Sequence, residues 1–168
     1  MLEVMIAILT IAAFSTGTLQ LMAVNALYKV RAERQTKANF WIQEDFEDVK
    51  YLASSLAFDE KWCTGEEGYA TALRRELTAT PVPNPIPTDP QLVATREIVG
   101  KNYSLLRTFN TTLDNPHRLR IEYKVKLADS EIANDYQTQE KDERNEEEGK
   151  FLAKSSVEVI PDASFKCP

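Results

Sequence analysis

The sequence predicts an α+β chain in which one long N-terminal helix packs on a small antiparallel sheet of three to four strands. Three observations carry this. The first 58 residues contain no proline and a single glycine, Gly17. A strictly alternating run, Arg118 to Leu127, stands in the second half. Between the two, five prolines crowd into Thr80 to Gln91 and end any helix there.

The helix has two halves of different character. Val4 to Tyr28 is 25 residues without a charge, more than the roughly 20 that cross a bilayer. Val4, Ile6, Ile8, Leu9, Ile11, Phe14, Leu19, Leu21 and Val24 make it apolar all round. Thr10, Ser15, Thr16 and Thr18 are mild interruptions, because their hydroxyls can bond back to helix carbonyls. Residues 1–28 are therefore expected to form a transmembrane segment.

Residues 29–58 continue the helix in amphipathic form. Ala38, Ile42, Phe46, Val49, Leu52, Ala53 and Leu56 recur at three- and four-residue intervals and form one stripe. That stripe is expected to hold a folded head, residues 59–168. Glu3 is the exception in the stalk. An ionised carboxylate at the start of an apolar run costs several kcal/mol unless it is paired or lies at the interface. It serves either as a helix-start acid, favoured by the macrodipole, or as the partner of a cation from another chain.

In the head, Tyr69 to Leu77 predicts a short helix and residues 80–91 a stiff, polyproline-like connector. Leu92 to Val99 and Tyr103 to Thr112 are strand candidates, followed by a turn cluster over residues 113–117. In Arg118 to Leu127 the residues Leu119, Ile121, Tyr123, Val125 and Leu127 share one face and the other is charged, which predicts a half-buried strand. Phe151 to Ile160 predicts another. Such a sheet on the amphipathic helix buries both apolar faces.

The net charge is −6, and residues 129–150, with nine acidic and three basic residues, account for all of it. This acidic stretch is expected to be a solvated loop; it lacks EF-hand spacing. Without a clustered basic face, no nucleic-acid contact is expected. No metal site, cofactor or catalytic constellation is predicted: the one histidine, His117, falls in the turn cluster, and the five glycines form no phosphate loop. Cys63 and Cys167 match no zinc or redox spacing. If the head lies outside the cytoplasm they can form one disulfide; otherwise they stay thiols.

Met1-Leu-Glu-Val-Met-Ile-Ala-Ile-Leu9 resembles the start of mature type IV pilins and type II secretion pseudopilins, in which a glutamate interrupts an apolar helix. Gly17 to Val24 followed by a polar helix is most similar to minor pilins of the PilV kind, since the helix-kinking proline of many major pilins is absent. Here the glutamate, Glu3, stands about two places early, and a basic leader ending in glycine would lie upstream of Met1. The resemblance implies a structural subunit, not an enzyme, that polymerises through its N-terminal helix. It implies that Glu3 takes part in subunit assembly by pairing with a neighbour's N-terminal amine, and that the new N-terminus is methylated.

The partners so implied are other pilin subunits, the inner-membrane assembly machinery and a prepilin peptidase. The location implied is the inner membrane before assembly, then a pilus or a periplasmic or extracellular filament. Counted alone, Lys29, Arg31, Arg34 and Lys37 would keep the head in the cytoplasm; the resemblance and the cysteine pair place it outside. The alternative is a single-pass anchored protein whose head binds a partner or extracellular polymer without polymerising.

Overall fold

The computed structural model describes residues 2–63, 68–82, 84–112, 114–128 and 151–168. The acidic stretch 129–150 lies outside the described residues.

Helix α1 runs Leu2–Ser55 without interruption, about 80 Å at 1.5 Å per residue. It ends three residues before Phe58 and well ahead of the first proline, Pro81. Asp59 then starts a 3-10 turn over Glu60–Trp62, its carboxylate accepting from the Lys61 amide. Helix α2 spans Tyr69–Leu77, as the sequence predicts. It closes with the Ala79 amide donating to Glu76 O and the Thr80 amide to Arg75 O. Ala79 takes the left-handed conformation (φ 49°) that such a helix end requires.

Four strands follow: β1 (Gln91–Ile98), β2 (Lys101–Thr112), β3 (Asn115–Leu127) and β4 (Phe151–Val159). They pair antiparallel in chain order β1-β2-β3-β4, a meander. Val99 and Gly100, both at positive φ, form the two-residue β1–β2 turn, a geometry whose twist matches that of the strands it joins. The third strand starts earlier than the turn cluster suggests, at Asn115 opposite Thr112. Pro116 is tolerated there because β4 joins β3 only from Leu119 onward, so its missing amide leaves no gap on that side of the ladder.

One face of the sheet is buried under both helices. Leu105 and Phe109 of β2, Leu119, Ile121, Tyr123 and Val125 of β3, and Leu152 and Val159 of β4 form a single core with Ala38, Trp41, Ile42, Val49 and Ala53 of α1 and Leu73 of α2. Phe46, Leu52 and Leu56 pack on its margin, so every member of the predicted stripe meets the head. Trp41 widens that stripe. Arg96 of β1 lies over its ring, 5.0 Å from the centroid, and pairs with Glu44 at 2.8 Å.

The outer face of β3 is polar. There Arg118 pairs with Glu158 at 3.2 Å and Arg120 donates to the Ser156 hydroxyl. A second, small core gathers Tyr69, Ala72 and Ala163 with Leu56, Trp62, Cys63 and Cys167.

Candidate functional site

The surface that demands an explanation is the first half of α1. Val4, Ile6, Ile8, Leu9, Ile11, Phe14, Leu19, Leu21 and Val24 are all exposed, from 47% at Val24 to 76% at Phe14. Soluble monomers rarely present contiguous apolar area on this scale. Its threonines turn inward to the backbone. Thr10 Oγ1 donates to Ala7 O (2.8 Å), Thr16 Oγ1 to Ala12 O (2.8 Å) and Thr18 Oγ1 to Ser15 O (2.9 Å). Gln20 and Asn25 stay outward among the hydrocarbon, and the helix is long and apolar enough to span a membrane.

Glu3 lies at the outer end of this surface and is exposed. The opposite end is marked by Tyr28 and Lys29, also exposed. Beyond them the stalk is tied to the head. Arg34 is buried and donates from Nη2 to Val99 O at 2.9 Å, fixing α1 to the β1–β2 turn. Lys37 pairs with Glu33 at 2.9 Å and holds the Glu33 carboxyl below its usual range. Deeper in the head, Asp45 of α1 pairs with Arg107 of β2 at 3.3 Å, and Arg107 also donates to Leu77 O at the end of α2 (3.1 Å).

The nine apolar residues and Glu3 share one helix, and among the described residues all ten are exposed. Cys63 and Cys167, 104 positions apart, are joined in a disulfide with Cα atoms 5.4 Å apart. The bond ties the loop after α1 to the 3-10 turn Asp162–Lys166 at the end of the head. His117 lies in β3; its Nδ1 accepts from the Tyr69 amide at 3.3 Å, so it seats the start of α2. The connector is held too: Arg74 donates to Pro87 O and Arg75 to Asn84 O.

Sequence reasoning missed two exposed aromatics on the part of α1 that carries the head, Phe40 (71%) and Tyr51 (75%). Their signal was available: both fall off the apolar stripe, Tyr51 beside an open groove that Glu158 and Ile160 also line. An open groove of about 780 Å³ between the end of α1 and the connector is lined by Trp62, Arg75, Glu76 and Pro81 among others. Among the described residues, no group of three His, Cys, Asp or Glu is placed to hold a metal ion.

A long apolar N-terminal helix packed on an antiparallel sheet is a pilin-like architecture. Comparisons with protein-family models, with curated proteins and with solved structures find no match to the chain.

Proposed function

We propose that the chain is a structural subunit, a minor pilin or pseudopilin, of a type IV pilus or type II secretion-like filament. One observation carries the reading. The exposed apolar segment and the helix that holds the head are one continuous α1, Leu2–Ser55. A free-standing anchor needs about 20 apolar residues and no rigid link to its head. A subunit that moves from lipid into a helical bundle needs such a link, because the head must follow the segment that packs.

In this reading the subunit sits in the inner membrane as a single-pass protein before assembly, its head outside the cytoplasm. Val4 to Tyr28 then exchanges lipid for the equivalent helices of other subunits. Glu3 finds its countercharge in another copy and so sets the register. The disulfide suits an exported head, since such bonds persist in oxidising compartments. The chain works with the inner-membrane assembly machinery and performs no catalysis.

The test is incorporation into filaments sheared from cells that assemble them. The unaltered chain should be found in the filaments. Glu3→Ala should leave membrane insertion and the Cys63–Cys167 bond intact while removing the chain from them. Equal incorporation of both would sink the role of Glu3. An unaltered chain that stays monomeric in the membrane would leave only the anchored, non-polymerising alternative.

A further inference from the structure

Six exposed residues of α1 fall into two rows of the same spacing. Glu3, Phe14 and Asn25 recur every 11 positions, and so do Lys29, Phe40 and Tyr51. Eleven residues make about three turns of α-helix, so each row runs nearly straight along the stalk. All six side chains are exposed. Among the described residues Glu3 has no ion pair, and Lys29 acts on Glu33 only through space. Phe40 and Tyr51 are 71% and 75% exposed, and neither belongs to the core that joins α1 to the sheet.

The two rows are chemically complementary when one is slid onto the other. An offset of 26 positions, about 39 Å along a parallel helix, sets Glu3 opposite Lys29, Phe14 opposite Phe40 and Asn25 opposite Tyr51. The pairs are carboxylate with ammonium, ring with ring, and amide with phenol hydroxyl. Moving by one row spacing in either direction loses this, since Glu3 then faces Thr18 or Phe40. Both rings of the aromatic pair are among the most exposed side chains of the stalk.

We infer that the row Lys29, Phe40, Tyr51 is the docking surface for the row Glu3, Phe14, Asn25 of a second, parallel copy displaced by about 39 Å. The inference rests on the filament reading and specifies its register. The two rows lie about a quarter turn apart on the same helix. Each copy can therefore accept one neighbour and offer itself to another, a head-to-tail contact that propagates without closing into a dimer. The ion pair sits where it is most useful. At this offset a Glu3 drawn toward its neighbours meets the Lys29 ammonium, and an unpaired carboxylate in an apolar setting is strongly disfavoured.

The experiment uses the full chain in cells that assemble filaments, with two differently tagged copies expressed together and the native disulfide intact, and reads the filaments sheared from them. Phe14→Cys in one copy and Phe40→Cys in the other should cross-link under mild oxidation at least tenfold more than either variant with itself. Glu3→Lys alone, or Lys29→Glu alone, should lower copurification of the two tags by at least tenfold, and the double reversal in one chain should restore it. Predominant Phe14→Cys self-cross-linking, or a double reversal no better than the single ones, overturns the register while leaving the filament reading in place. If unaltered copies never copurify, the filament reading fails and this contact fails with it.

Discussion

Asp45 of α1 reaches Arg107 of β2 at 3.3 Å with both side chains nearly buried, 10% and 14% exposed. Arg107 stands directly across from Tyr123 of β3 and also donates to Leu77 O of α2. One guanidinium thus joins both helices to the middle of the sheet. Removing one partner of a buried pair leaves the other charge without compensation, which costs more than the pair itself contributes. Asp45→Ala should therefore destabilise the head by about 3 kcal/mol. Denaturant unfolding in detergent, followed by fluorescence of the buried Trp41, measures it. Adding Arg107→Met should recover part of the loss, because neighbours in one network are not additive.

Tyr123 makes the same network sensitive to alkali. Its ring is fully buried, and its hydroxyl lies near the Asp45 carboxylate without a hydrogen bond of good geometry. Burial, and after it the Asp45 charge, pushes the phenol up from its usual range. The folded chain thus keeps a proton that the unfolded chain releases at about pH 10. Below that pH both states hold it and this group adds no slope. Above it, stability should fall by about 1.4 kcal/mol per pH unit. Comparing Tyr123→Phe with the unaltered chain between pH 9 and 11 isolates the effect, since the variant should lack that increment of slope.

Much of this fold was legible because its signals are local and periodic. Tyr69 to Leu77 and Arg118 to Leu127 announce themselves through spacings of three to four and of two. The absence of charge between Val4 and Tyr28 states what the segment's surroundings must be. The Asp45–Arg107 pair was not legible, because in sequence each looks like one more solvated charge. Phe40 stands beside Trp41, yet Trp41 is buried and Phe40 points away, a distinction set by where the sheet sits. The rows on the stalk escaped notice for another reason. Their 11-residue spacing matters only to a neighbouring helix, and single-chain amphipathicity has no use for it.

The disulfide joins Cys63 to Cys167 across 104 positions and so encloses nearly the whole head. In the chain-entropy account a loop of that length contributes roughly 4 to 5 kcal/mol by restricting the unfolded chain. Cys63→Ser with Cys167→Ser should lower the stability of the head by an amount of that order. The loss should centre on the small core of Tyr69, Ala72 and Ala163, whose margin both cysteines form. Hydrogen exchange should show α2 and the Asp162–Lys166 turn losing protection before β2 and β3 do.

The two ends of α2 make opposite demands on a methyl group. Before the helix, a Cβ added at Gly68 would lie 2.1 Å from Pro116 O, a backbone atom of β3 that cannot step aside. Its own dihedrals are ordinary (φ −98°, ψ −171°), so the constraint is close approach and not conformation. Gly68→Ala should cost about 2 kcal/mol or more through overpacking and should disturb the bond from the Tyr69 amide to His117. After the helix, Ala79 occupies a left-handed position that glycine takes without strain. Ala79→Gly should raise stability, by about 1 kcal/mol less the added freedom of the unfolded chain. The two exchanges should leave membrane insertion unchanged, and opposite shifts in denaturant midpoint at equal slope are the expected result. A gain from Gly68→Ala would mean that α2 is not seated on Pro116 as described, and a loss from Ala79→Gly would mean that the strain at its far end is not there to relieve.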